Sequence, residues 1–336
     1  MKSFTQKHPV LTFLLINFTW TWLFWLAAIP LQQQSLLLTA IVMIGGFGPA
    51  IGGILTLGLM SGTKPGFSSK KLSIVVIASL TIFTIIALRY LVGNIPGYDT
   101  LATNLTLTPS VVVAALVVSL VGGWVYSSAL SRNPNVRERM ASILPWRLPL
   151  GWTILGLLFY PAMILVAWGL ASLIGAEVEY PGLWGQSLMQ ILPIYALTFG
   201  LTFLAQGGNE EPGWRGLMQP ELQKRFSPLV AALIVSVAWS LWHLPLYLNG
   251  FYPGDLVGGM LGGFIFRILL SIFLAWFYNR SGGNLFLMMF LHTSFNTVVN
   301  FLPTSDLGLL VLWLLVVVFV VVKDKMWRKL PDAKVM

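Results

Sequence analysis

The chain has 336 residues, of which 57% are hydrophobic and only 9% charged; soluble domains carry about 25% charged residues, so an ordinary water-soluble fold is excluded. It contains no cysteine, which removes a cysteine nucleophile, a thiolate metal centre and disulfides and leaves Ser, Thr, Asp, Glu and His as candidate chemistry. The net charge of +9 is accounted for by Lys and Arg gathered in loops beside a membrane, not by a nucleic-acid partner.

A membrane span needs roughly 20 mainly apolar residues. About ten such runs follow one another, over 9–30, 36–60, 72–93, 109–130, 149–174, 185–206, 227–247, 256–279, 284–302 and 307–322, by a standard hydropathy window. Met1 to Val10 is short and basic, and Ala27-Ala28 offers a small-residue cleavage site. The spans that follow favour an uncleaved first helix. Positive charge then alternates from loop to loop. Lys2 and Lys7 precede the first span. Lys64, Lys70 and Lys71 follow the second; Arg132, Arg137, Arg139 and Arg147 the fourth; Lys224 and Arg225 the sixth; Arg280 the eighth; Lys323, Lys325, Arg328 and Lys329 the tenth. The intervening loops hold Gln32 to Ser35, Asp99, Glu177 and Glu179, Asp255 and Asp306. This places both termini and the end of the sixth span in the cytosol. The expected fold is an all-α, polytopic transmembrane helix bundle. Residues 1–148 form N-terminal spans, 149–322 a catalytic core and 323–336 a basic cytosolic tail. The expected setting is an integral protein of a cytoplasmic membrane, in a bacterium.

Gly48 and Gly52 in the second span, and Gly258, Gly259, Gly262 and Gly263 in the eighth, have the small-xxx-small spacing that lets helix backbones approach in lipid. Arg89, near a span end, snorkels to the interface. Arg267, near the middle of the eighth span, costs about 2.5–3.5 kcal/mol to insert and requires a carboxylate or carbonyl partner.

Polar residues inside apolar spans are functional-site hypotheses by default, and three segments carry them. In Gly207-Gly208-Asn209-Glu210-Glu211-Pro212-Gly213-Trp214-Arg215-Gly216, a helical reading puts Glu211 and Arg215 on one face as an ion pair. Glu210, about 100° around the helix, is the freer carboxylate and the better general base. Pro212 and the glycines predict a kink. In the seventh span Trp239 and His243 are i,i+4, so the indole packs on the imidazole. In the ninth, His292 and Asn296 share a face and can donate hydrogen bonds to one developing oxyanion. Each segment has a plainer explanation: a juxtamembrane Glu–Arg pair, an interfacial histidine among Trp and Tyr, and a polar pair joining two helices. No His-Glu-x-x-His helix, Gly-x-Ser-x-Gly elbow or phosphate loop occurs.

Together, Glu210-Glu211-x-x-x-Arg215, Trp239-x-x-x-His243 and His292-x-x-x-Asn296 resemble the three motifs of the CAAX protease and bacteriocin-processing (CPBP, or Abi) family, which includes the type II CAAX prenyl endopeptidases. The resemblance covers about residues 185–302. Trp239 stands where the family pattern has Phe. The resemblance implies an intramembrane endopeptidase in which Glu210 and His243 activate water, His292 and Asn296 stabilise the oxyanion, and Glu211, Arg215 and Trp239 support the site. It favours a metal-free glutamate mechanism without a cofactor. The zinc alternative makes Glu210, His243 and His292 the ligands of a metalloendopeptidase. The implied partners are the bilayer and a peptide or membrane-protein substrate. The rival readings are a proton-coupled transporter or exporter and a non-catalytic immunity or binding protein. The lack of a detectable repeat disfavours transport.

Overall fold

Within hydrocarbon no water takes up backbone N–H and C=O groups, so each apolar run must close its hydrogen bonds internally, as a helix. A computed structural model of the chain describes residues 3–31, 35–61, 69–93, 107–145, 148–252 and 255–331. Its main helices are α1 (Pro9–Ala27), α2 (Leu36–Gly46), α3 (Gly48–Ser61), α4 (Ser69–Gly93), α5 (Pro109–Ser127), α6 (Leu150–Ile174), α7 (Leu188–Ala205), α8 (Pro228–Trp242), α9 (Leu256–Arg280), α10 (Leu285–Val298) and α11 (Asp306–Lys323). Among the described residues the only β-type pairing is a bridge between Glu179 and Thr304, which ties the α6–α7 loop to the α10–α11 loop. Lys2, Gln32 to Gln34, Lys64, Asp99, Arg147 and the last five residues of the basic tail lie outside the described residues.

The helix ends follow from local chemistry. The side chains of Ser35, Thr108, Ser227, Asp255 and Asn284 accept from the backbone N–H three residues on, capping α2, α5, α8, α9 and α10. Each satisfies a donor that helix geometry leaves orphaned. Proline fills the first turn of α1, α5 and α8, where no N–H is needed. Gly175, at φ 69°, ends α6 in the left-handed conformation.

Among the described residues nine helical stretches are long and apolar enough to cross a membrane, and the protein is an integral membrane protein. The expected ninth span is shorter than the sequence suggests. Its helix, α10, has 14 residues, a length of about 21 Å against a hydrocarbon core of about 30 Å. It is instead sheathed in protein: Leu285, Leu287, Met288, Met289 and Leu291 are fully buried. By contrast α11 turns Leu315, Val318, Phe319 and Val322 outward, the apolar face that lipid requires.

The N-terminal helices wrap the core. The Thr21 hydroxyl donates to Gly45 O (2.8 Å), and the indoles of Trp20 and Trp25 donate to Ile44 O (2.8 Å) and Val42 O (2.9 Å), fastening α1 to α2. The Trp242 indole donates to the Thr21 hydroxyl (2.8 Å), joining α8 to the same helix. Gly48 and Gly52 do serve close packing, against Thr21, Asn17 and Phe13 of α1. In α9 the glycines do something else. Gly259 and Gly263 clear space for the side chains of Tyr247 and Arg267, while Gly262 has nothing within 4 Å. At the α9 and α11 ends, Asp324 accepts from Arg280 and from the Trp276 indole (2.6 Å). The Arg280 hydrogen bond, helped by Trp276, holds the Asp324 carboxyl below the usual carboxylate range despite opposing burial. This clamp therefore contributes above the ordinary aspartate pKa and is lost as pH falls through the depressed one.

The tightest approach lies between α3 and the segment after α7. A Cβ on Gly53 would meet Pro212 O at 3.0 Å and Gly213 Cα at 3.1 Å, and a Cβ on Gly213 would collide with the Pro49 backbone. Backbone cannot yield as a flexible side chain can, so Gly213→Ala should cost about 1–3 kcal/mol through overpacking. Gly58, with nothing within 4 Å, is the control. Thermal unfolding in detergent should show Gly213→Ala well below wild type and Gly58→Ala at or above it. Equal melting temperatures would mean that α3 does not hold this segment.

Candidate active site

The sequence Gly207-Gly208 stops α7. Gly207 has φ +144°, in the region that favours glycine. Its N–H donates to Asn209 Oδ1 (2.8 Å), and Asn209 Nδ2 donates to Gly46 O (3.0 Å), at the α2–α3 break. The chain then makes a 3₁₀ turn (Gly208–Glu210), a short α-turn (Glu211–Gly213), a π-helical turn (Trp214–Met218) and a last α-turn (Gln219–Gln223). The expected kink is thus an irregular stretch, buried throughout from Gly207 to Pro220. Protein covers it, as non-helical backbone at membrane depth requires. A π-turn inside a helix frequently marks a functional site.

The two glutamates have different surroundings. Glu211 Oε1 accepts from Arg215 Nη1 at 3.1 Å and from His292 Nδ1 at 2.6 Å. Both Glu211 and Arg215 are 0% exposed. The expected i,i+4 pair is present, and His292 joins it as a third member that spacing could not reveal. Glu210 keeps 7% exposure, and Oε2 accepts from the indoles of Trp239 (2.7 Å) and Trp214 (3.3 Å). No cation of the described residues lies within ion-pairing distance of it, and its Oε1 accepts no hydrogen bond from them.

Trp239 is the hub. Its N–H holds Glu210, its ring lies 5.9 Å from the His243 ring and 5.4 Å from the His292 ring, and the Arg215 guanidinium sits 5.0 Å over its face. This is more than the packing role that sequence alone suggests. The tautomers follow from the partners. His243 Nδ1 lies 2.7 Å from Trp239 O, a carbonyl that can only accept, so Nδ1 carries the hydrogen and Nε2 presents a lone pair. The Glu211 carboxylate likewise fixes the hydrogen of His292 on Nδ1.

Asn296 is placed differently from its expected partner. His292 is buried but Asn296 is exposed, with Nδ2 3.3 Å from Gln206 O. The two still border one point. A Cβ on Gly207 would lie 2.5 Å from Asn296 Nδ2 and 3.5 Å from His292 Nε2. The missing methyl lets both nitrogen-bearing side chains approach the Gly207 backbone. The zinc set fits less well. Among the described residues no three His, Asp or Glu side chains converge closely enough to share a metal ion.

Several contributors were not singled out from sequence. Trp214 stands four residues after Glu210, a spacing that could have disclosed it. Asn209, Tyr252 and the α1 aromatics gave no such signal. Tyr252 stacks on His243 at 6.0 Å and 15°, held there by Tyr252 N–H donating to Leu246 O (3.0 Å) and by Asn249 bonding Phe251 and Trp25. Trp25 packs 6.2 Å from His243 and 4.4 Å from Trp242.

Unpairing Glu211 strands both Arg215 and His292. Breaking a buried pair costs about 3–5 kcal/mol, whereas Glu210 has only indole donors that a neutral amide oxygen can also accept. Glu211→Gln should therefore lower detergent stability strongly while Glu210→Gln stays near wild type. The reverse order in a thermal melt would refute this division of roles.

Residues 192–298 match the family model described as type II CAAX prenyl endopeptidase Rce1-like, a window that contains Glu210, Glu211, Arg215, Trp239, His243, His292 and Asn296. Over 147 residues the chain is 26% identical to CAAX prenyl protease 2 of Methanococcus maripaludis. That match covers 41% of this chain and 52% of the relative, so the chain spans about half the length of the curated relative it matches.

Proposed function

We propose, from the chain's membership of the CAAX protease family, that it is an intramembrane endopeptidase acting on a peptide or membrane-protein substrate without a bound metal. The observation that carries this reading is the gathering of Glu210, His243 and His292 around the one Trp239 ring, with His292 and Asn296 both close beside Gly207. A water between Glu210 Oε1 and His243 Nε2 would direct its two O–H bonds at two acceptors, leaving an oxygen lone pair free to attack the substrate carbonyl. Glu210 takes one proton as general base, the bond from water oxygen to carbonyl carbon forms, and the carbonyl oxygen becomes an oxyanion. In this reading Asn296 Nδ2–H donates to that oxygen. His292 donates from Nε2 as the imidazolium, since Nδ1–H is committed to Glu211, whose negative charge balances it. As the tetrahedral carbon collapses, the C–N bond breaks and the Glu210 proton passes to the leaving amine.

General-base help contributes about 10²–10⁴ in rate and one oxyanion donor about 10²–10³. Purified Glu210→Gln and His243→Ala should therefore lose peptide cleavage, while Asn296→Ala leaves a measurable trace. Full activity after exhaustive chelation supports the metal-free reading. Loss on chelation with rescue by zinc assigns Glu210, His243 and His292 as ligands instead. Cleavage undiminished in Glu210→Gln refutes the protease mechanism.

The site faces the cytosol in this reading, in a cytoplasmic membrane with both termini inside. The alternating basic loops support that orientation. Reporter fusions at Lys64, Asn133 and Lys325 should read cytosolic and those at Gln33, Asp99 and Glu177 the opposite side. A cytosolic signal at Glu177 would invert the α6–α7 register and the site orientation with it.

A further inference from the structure

Arg267 was expected to have a carboxylate or carbonyl partner, because a charge near the middle of a span is costly when unpaired. It is 7% exposed, and Nη1 is buried without a hydrogen-bond partner. Among the described residues no carboxylate lies within ion-pairing distance of it. Its surroundings are shaped for it. Gly259, Gly263 and Arg267 lie four residues apart along α9, so they share a face. A Cβ on Gly263 would sit 2.5 Å from Arg267 Nη1 and 2.7 Å from the Tyr247 hydroxyl. The guanidinium and the phenol therefore both pack against the Gly263 backbone, an approach that only glycine allows. Tyr247 is itself tethered, its hydroxyl donating to Gly259 O (2.9 Å).

This cluster adjoins the site. The Tyr247 ring lies 5.1 Å, edge on, from Tyr252, and Tyr252 stacks on His243. Burial pushes the Tyr252 phenol up to about 12, with the nearby Arg267 charge opposing the shift. The phenol thus remains a neutral hydrogen-bond donor throughout the physiological range. One aromatic ring separates the His243 imidazole from a buried cation lacking an anion. A guanidinium is always charged and matches a carboxylate with two parallel N–H donors.

On the protease reading, we infer that Arg267, with Tyr247 and Tyr252 as walls, binds a carboxylate of the peptide substrate close to the scissile bond and so sets substrate specificity. That carboxylate is either a free C-terminus or an acidic side chain. Once bound, it supplies the counter-charge that α9 lacks, and the pairing favours peptides that carry an anion just beyond the attacked carbonyl.

The test uses one apolar fluorogenic decapeptide in three forms: a free C-terminal acid, a C-terminal amide, and an amide with Asp replacing one residue near the C-terminus. A hydrogen bond to a charged group contributes about 1.5–3 kcal/mol, so wild type should cleave at least one carboxylate-bearing form roughly 10–100-fold more efficiently than the plain amide, mainly through KM. Preference for the free acid alone identifies the C-terminus as the anion, and preference for the Asp form identifies the side chain. In Arg267→Gln the preference should vanish, and Arg267→Lys should restore part of it. Equal efficiency for all three peptides with wild type, which requires no variant to fold, overturns the inference while leaving the protease reading intact. So does a preference that survives in Arg267→Gln. Binding separates the two proposals. Catalytically silent Glu210→Gln should bind the preferred acid about tenfold more tightly than the amide. This difference should be absent when Arg267→Gln is added. Absence of cleavage by wild type with that binding difference retained refutes the protease reading and keeps the carboxylate site. Equal binding of acid, Asp form and amide refutes the carboxylate site.

Discussion

The segment that carries Glu210 and Glu211 depends on pairing buried charge where water is scarce. Glu211 and Arg215 are sealed completely, and Glu211 shares one oxygen between Arg215 and His292. Isolated charges in such a setting cost several kcal/mol each. One buried carboxylate oxygen thereby serves two donors, so removing it would strand both at once. The Glu211 contact also fixes the orientation of the His292 ring, leaving Nε2 near Gly207. On the protease reading Glu211 acts through these neighbours, as a positioning residue.

Aromatic side chains supply the second layer of order. Trp239 combines an N–H that holds Glu210 with a π-face over which Arg215 rests, so one rigid ring positions both signs of charge. Trp214 packs edge on against Phe13 and Trp242, and Trp242 against Trp25. These rings connect α1 and α8 to the π-turn. Large planar side chains with few rotatable bonds lose little entropy when fixed, which suits them to holding geometry in a bundle without cross-links.

Close backbone approach is the third requirement. Gly53 and Gly213 allow α3 to lie directly on the irregular segment, and Gly46 offers its carbonyl to Asn209. The segment thereby has its displaced backbone covered by protein instead of lipid. Residues far upstream of the matched family window are therefore walls of the site, although nothing in their own polarity announces this.

The class of fold, the apolar runs and the candidate polar residues were legible from the sequence because they rest on local quantities. Hydropathy over about 20 residues, i,i+4 spacing and the cost of charge in lipid require no knowledge of neighbours, and they sufficed for Glu211 with Arg215 and for Trp239 beside His243. Tertiary structure alone decided the rest. It set α10 inside the protein as a short helix and joined His292 to Glu211 across 81 residues. It also turned Trp239 into a hydrogen-bond donor for Glu210, set Asn296 at an exposed rim and left Arg267 without an anion. Each of these depends on which helix faces which, and helix faces in lipid are chosen by packing of small residues and by mutual satisfaction of buried polar groups. Such choices are properties of pairs of helices, so no single segment records them.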